Sequence, residues 1–65
     1  MVNIPELRAC MARKGYNQKK LAKELGISEP TMIRRFKDKT FNCREIERIV
    51  QILDIQNPVE VFFDF

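Results

Sequence analysis

The stretch Gln18-Lys19-Lys20-Leu21-Ala22-Lys23-Glu24-Leu25-Gly26-Ile27-Ser28 decides the fold of this 65-residue chain. Leu21, Ala22 and Leu25 fall on one side of a helix. Gly26 then permits the positive-φ turn that lets two helices cross steeply. Ser28 has the hydroxyl that opens a new helix. Ala22 sits where the two helices would meet, and its small side chain lets them approach. Ile27 and Met32 have the bulk to fill the angle between them. Helix, glycine turn, helix is a helix-turn-helix pattern.

The same start signal recurs along the chain. An apolar residue precedes Asn or Ser, and a second apolar residue follows five positions after the first. The instances are Val2-Asn3 with Leu7, Tyr16-Asn17 with Leu21, Ile27-Ser28 with Met32, and Phe41-Asn42 with Ile46. This is the spacing of a hydrophobic staple closed around an N-cap. Asn3 with Glu6 and Asn42 with Glu45 add capping-box spacing. Gly15 and Gly26 stand where helices end in a left-handed residue. Pro58 suits the first turn of a short last helix. Together these signals predict an all-α chain of five helices, at 4–14, 18–25, 29–37, 43–53 and 58–62, forming a single domain over residues 1–65.

The apolar faces agree. Ile4, Leu7, Cys10 and Met11 share one side of the first helix. Met32 and Phe36 share one side of the third. Cys43, Ile46, Ile49, Val50 and Leu53 make a stripe along the fourth. In the last segment Val59, Val61, Phe63 and Phe65 alternate, so a short extended tail is also compatible. Val59 and Phe62 are the expected contributions of that segment to the core.

Composition excludes several classes. A chain this short buries only about 60% of its unfolded surface, too little for an α/β nucleotide-binding domain or a deep pocket. It has no His, and its two cysteines, Cys10 and Cys43, lack zinc-ligand spacing. Both are expected as buried free thiols rather than a disulfide. No metal, cofactor or small-molecule ligand is expected, and the scattered carboxylates make no catalytic constellation, so the chain does not read as an enzyme. Pro5, Glu6 and Arg13 interrupt the place of a signal peptide, and no run is apolar enough for a membrane helix. A cytoplasmic location in a bacterial host is the expectation.

Charge is segregated. Residues 8–44 hold eleven Lys/Arg against Glu24, Glu29 and Asp38, a balance of +8 within a net +3. Residues 45–65 hold Arg48 against five acidic residues, a balance of −4. This suggests a positive face for a polyanion. The third helix is unusual beside it, with Pro30, Ile33, Arg34 and Lys37 opposite Met32 and Phe36.

The segment Gln18–Ser28 resembles the helix-turn-helix of phage Cro/CI-type repressors, the lambda-repressor-like DNA-binding domains. Thr31-Met32-Ile33-Arg34-Arg35-Phe36-Lys37 and Phe41-Asn42-Cys43-Arg44-Glu45-Ile46-Glu47-Arg48-Ile49 resemble the small phage regulators of that class, and the likeness extends over about residues 4–62. The resemblance implies a compact five-helix domain that places helix 29–37 in the major groove of double-stranded operator DNA, usually as a two-fold dimer, and represses transcription.

The resemblance also implies roles. Gln18 holds the phosphate backbone and braces the recognition helix, with Lys19 beside it. Ser28 and Thr31 reach phosphate or base. Glu29 and Pro30 depart from that family, whose members often carry Gln or Arg there: Glu29 can accept from a cytosine amino group or serve only as a first-turn carboxylate, and Pro30 and Ile33 can pack on thymine methyls. Arg34 and Lys37 reach backbone or outer bases. Arg35, Lys39 and Arg44 are further candidate phosphate contacts. Arg35 replaces the aliphatic core residue of many relatives, with Phe36 expected to substitute for it. Asp38-Lys39 stands where a Gly often follows the recognition helix. A homodimer is expected through Ile52, Phe63 and Phe65 of the C-terminal segment, with Cro-like repression as the function. The other reading is a helix-turn-helix adaptor or antirepressor that grips another regulator protein.

Overall fold

The computed structural model describes residues 1–63. Five helices follow one another, α1 (Ile4–Arg13), α2 (Gln18–Leu25), α3 (Glu29–Asp38), α4 (Cys43–Leu53) and α5 (Pro58–Phe62). No strand occurs among the described residues. Val59, Val61 and Phe62 lie in α5, so the alternation there is not a strand; Asp64 and Phe65 fall outside the described residues.

Each of the first four helices begins on the side chain expected of it. Asn3, Asn17, Ser28 and Asn42 accept from the backbone N–H of Glu6, Lys20, Thr31 and Glu45. Each cap satisfies one of the donors that a helix start leaves free. The reciprocal capping box is complete at α4, where Glu45 accepts from the Asn42 N–H at 3.0 Å. The Glu6 carboxylate instead lies 3.7 Å from the Arg13 guanidinium. Asn57 gives no side-chain cap to α5; its amide donates to Glu60 at 2.8 Å.

The helix ends are equally regular. Gly15, Gly26, Lys39 and Asp54 all have positive φ, from 51° to 73°. At each, the following N–H reaches back to a carbonyl five residues earlier: Tyr16 to Met11, Ile27 to Ala22, Thr40 to Arg35, Ile55 to Val50, at 2.8–3.1 Å. This is the Schellman closure, which leaves the chain turned sharply out of the helix. Between α2 and α3 it sets the two helices against each other, and α2 packs more extensively on α3 than on any other helix.

The core collects one face of every helix. Leu7, Leu21, Met32, Ile49 and Val61 are its fully buried side chains. Val2, Cys10, Met11, Ala22, Phe36, Phe41, Leu53, Ile55 and Phe62 complete it. Phe36, Phe41 and Phe62 meet edge to face, with centroids 5.8 and 6.3 Å apart, the favoured aromatic geometry. The N-terminal segment is strapped across the far side: Val2 N–H donates to Lys39 O and Asn3 N–H to Val61 O.

Three sequence expectations are corrected. Val59 is 68% exposed, and Val61 takes the buried place in its stead. Residues two apart on a helix point to nearly opposite sides, so burying Val61 turns Val59 outward. Cys43 is exposed, because it sits at the first position of α4, ahead of the part of the stripe that meets the core; Cys10 is buried, and both are free thiols. Ile52, expected at a dimer surface, is half-buried and packs against the core of its own chain.

Candidate nucleic-acid interface

The candidate surface is built from the start of α2, the turn, and the outer side of α3. In α3 the burial of Met32 and Phe36 turns Glu29, Pro30, Ile33, Arg34 and Lys37 to solvent. Ile33 is 56% exposed between these polar neighbours. The five side chains lie on adjoining rows of one helix, since residues three and four apart are neighbours.

The N-terminus of α3 is organised by two hydroxyls. Ser28 Oγ accepts from the Thr31 N–H at 3.2 Å and donates to Thr31 Oγ1 at 2.9 Å. The Ser28 hydrogen is thereby engaged, while the Thr31 hydroxyl keeps its own hydrogen to donate. Ser28 is exposed and Thr31 half-buried.

At the start of α2, Gln18 is half-buried and Lys19 exposed. One terminal atom of the Gln18 amide lies 3.1 and 3.3 Å from the two Nη atoms of Arg8. Both Arg8 nitrogens can only donate, so the atom facing them is the amide oxygen and the NH2 turns away. The Arg8 guanidinium also lies 5.0 Å from the centroid of the Phe36 ring, a cation–π distance. Lys20 stands over Tyr16 at 4.7 Å in the same manner. Behind the turn, an open groove of about 490 Å³ is lined by Lys19, Lys20, Lys23, Ala22 and Ile27 among others.

The first turn of α2 holds Lys19 and Lys20 and no acidic residue. Arg44 occupies the second position of α4. Cations at a helix N-terminus oppose the helix dipole, at a cost of about 0.3–1 kcal/mol each. An anion bound there would reverse the sign of that interaction. Glu29, at the first position of α3, follows the ordinary preference instead.

Arg35, a candidate phosphate contact by sequence, is committed elsewhere. Its Nε and Nη2 bind both oxygens of Glu45 at 3.0–3.2 Å. Glu45 is 7% exposed and accepts the Asn42 N–H as well, so its carboxylate is fully occupied. The pair clamps the middle of α3 to the start of α4. Phe36, the next residue, supplies the apolar contact to the core. Lys39 and Arg44 remain exposed, Lys39 at the left-handed end of α3.

Sequence reasoning missed Arg8. Its position on α1, one past Leu7, carries no motif signal; only the fold brings it to Gln18 and Phe36. Phe63 is 49% exposed beside the exposed Val59, and Phe65 lies outside the described residues. No group of three or more potential metal-ligating side chains is found among the described residues. None of their helices is long and apolar enough to cross a membrane.

A five-helix domain with a Schellman-closed helix-turn-helix, whose second helix turns Arg34 and Lys37 to solvent, is a helix-turn-helix DNA-binding domain. The family model for the Cro/C1-type HTH DNA-binding domain matches residues 6–62, and the chain belongs to that family. No curated protein and no solved structure matches the chain.

Proposed function

We propose that the protein is a sequence-specific transcriptional regulator, a Cro-like repressor that places α3 in the major groove of operator DNA as a homodimer. The observation that carries this reading is the outer side of α3. A helix whose inner face holds Met32 and Phe36 presents Pro30 and Ile33 between Glu29, Arg34 and Lys37. Two exposed apolar side chains, with Arg34 and Lys37 beyond them and Glu29 before them, match a groove that offers thymine methyls between phosphates.

The work divides by chemistry. Gln18, Lys19, Ser28, Thr31, Lys39 and Arg44 fix the backbone and so the register. Lys19 supports this reading, since it stands in a first turn without an acidic residue, where a bound anion makes a cation favourable. Arg34 and Lys37 reach phosphates or outer base edges. Glu29, Pro30 and Ile33 read bases. With so few hydrogen-bonding groups among them, much of the specificity comes from DNA shape and deformability. The dimer forms through the C-terminal segment, where Phe63 and Val59 leave an apolar patch of the sort that marks a partner.

The test is selection from a pool of random-core duplexes at about 50 and 200 mM salt, with bound DNA sequenced. A palindrome with half-sites about 10–10.5 base pairs apart is the expected result. Binding without a motif leaves a DNA-binding domain but removes sequence specificity. No binding at the lower salt overturns the DNA reading in favour of a protein-binding adaptor. Arg34→Glu with Lys37→Glu separates these two: it abolishes DNA binding and spares a partner contact made by the C-terminal segment.

A further inference from the structure

We infer that Arg8 is a positioning residue for DNA binding: it holds the Gln18 amide with its oxygen inward, so that the NH2 is presented to a backbone phosphate. The inference rests on the DNA-binding reading above and adds to it a residue on α1, outside the helix-turn-helix.

A free glutamine amide is a poor phosphate ligand for two reasons. Its side chain has three rotatable bonds to order, and the amide can turn either its donor or its acceptor outward. An outward oxygen would repel a phosphate. Arg8 removes both problems. Its Nη atoms stand 3.1 and 3.3 Å from one end of the amide, and a guanidinium cannot accept. The amide must therefore face Arg8 with its oxygen, which aims both N–H donors the other way. Charge assistance strengthens the contact and leaves the amide nitrogen more acidic as a donor.

Arg8 is exposed, and a contact with the core steadies its guanidinium. Its guanidinium lies over Phe36 at 5.0 Å, and Phe36 is buried between α3 and the aromatic pair Phe41 and Phe62. The two-pronged contact with the amide needs the planar guanidinium fork, which an ammonium does not reproduce. Phe36 belongs to α3, so the orientation of Gln18 on α2 is referred to the recognition helix through one side chain. The phosphate clamp and the base-reading helix are thereby set to one frame.

The alternative role for Arg8 is a direct charge contact with DNA. Affinity for a mixed-sequence duplex of about 20 base pairs, at about 50 and 200 mM salt, distinguishes the two. The proteins are the full chain and its Arg8→Lys, Arg8→Met, Gln18→Ala, and Arg8→Lys with Gln18→Ala variants, with helicity measured to show that each is folded. Arg8→Lys keeps the charge and loses the fork. Positioning predicts that it weakens binding about threefold to tenfold, the cost of ordering one long side chain on binding. It also predicts that Arg8→Lys has no further effect once Gln18 is Ala. In DNA-free protein, side-chain amide relaxation by NMR should show Gln18 ordered in the parent and mobile in Arg8→Lys.

Arg8→Lys binding as tightly as the parent overturns the proposal. So does an Arg8→Lys loss that persists undiminished in the Gln18→Ala background. A salt slope reduced by about 0.9 in Arg8→Met assigns Arg8 a phosphate of its own and likewise overturns it. Absence of any binding by the parent at the lower salt removes the DNA reading and this role together, whereas parent binding with independent effects removes this role alone.

Discussion

The hydroxyl of Ser28 both caps α3 and holds the hydroxyl of Thr31, so its removal acts on stability and on the surface at once. Ser28→Ala is expected to cost about 1 kcal/mol in urea unfolding, the usual value of a lost cap. DNA affinity should fall by more than unfolding explains, since the Thr31 hydroxyl is released from its orientation. Lys39 offers the opposite case. It is a non-glycine residue with φ 54° closing α3. Lys39→Gly should relieve the left-handed strain and raise stability by about 0.5–1 kcal/mol. If Lys39 meets a phosphate, the same variant lowers the salt slope by about 0.9. Stability and affinity then move apart, and paired urea and salt titrations read both.

At the scale of the element, charge placement separates what a helix wants from what a ligand wants. Lys19 sits in the first turn of α2, without a nearby acid in that turn to offset it. Lys19→Glu should stabilise the free protein by about 0.3–1 kcal/mol and weaken DNA binding. A variant that lost stability would argue against the dipole account. The Arg35–Glu45 pair is the contrary case, a charge contact that joins two helices. Arg35→Ala leaves a carboxylate that is 7% exposed with the Asn42 N–H as its remaining partner. Part of the Arg35 side chain reaches solvent, so the loss should fall near 2 kcal/mol, within the range for hydrogen bonds to charged groups. Thermal unfolding measures it. The expected DNA effect follows only from that instability, since Arg35 faces Glu45 and not the candidate interface.

For the whole molecule the margin is small. A 65-residue domain has about 3–10 kcal/mol of total stability. Ile49 is fully buried, and Ile49→Ala should cost about 2–5 kcal/mol. That is enough to leave much of the population unfolded, seen as lost helicity at room temperature. Phe63 is different because half its surface is already in water. Phe63→Asp should keep the helicity and lower the dimer fraction in equilibrium sedimentation. A parent that sediments only as monomer at tens of micromolar would remove the DNA-free dimer.

Local chemistry was legible in the sequence wherever a single residue has one job. The caps at Asn3, Asn17, Ser28 and Asn42, the glycine closures at 15 and 26, and the inward pairs Leu21–Ala22 and Met32–Phe36 all follow from side-chain chemistry within one turn. The helix bounds came out within a residue for the same reason. The closure at Lys39 was marked only by the family's Gly at that place, and that at Asp54 by no glycine at all; Lys rarely and Asp only sometimes adopts positive φ, so the packing that follows each helix decides it. The outer side of α3 was readable as what remains once the inner face is assigned.

Tertiary structure decided whatever depends on two elements meeting. Arg35 has no partner legible in its own segment until α4 brings Glu45 within 3.0 Å. Val59 and Val61 are interchangeable by composition, and the turn of α5 against Phe41 and the N-terminal strap buries one and exposes the other. Arg8 has no neighbour in sequence that hints at Gln18. The periodicity of a chain reports which face of an element is apolar, and so it determined here that five helices share a core and which side of α3 is left outward. Partner choice among polar side chains needs the distances between elements, which only the packed core sets.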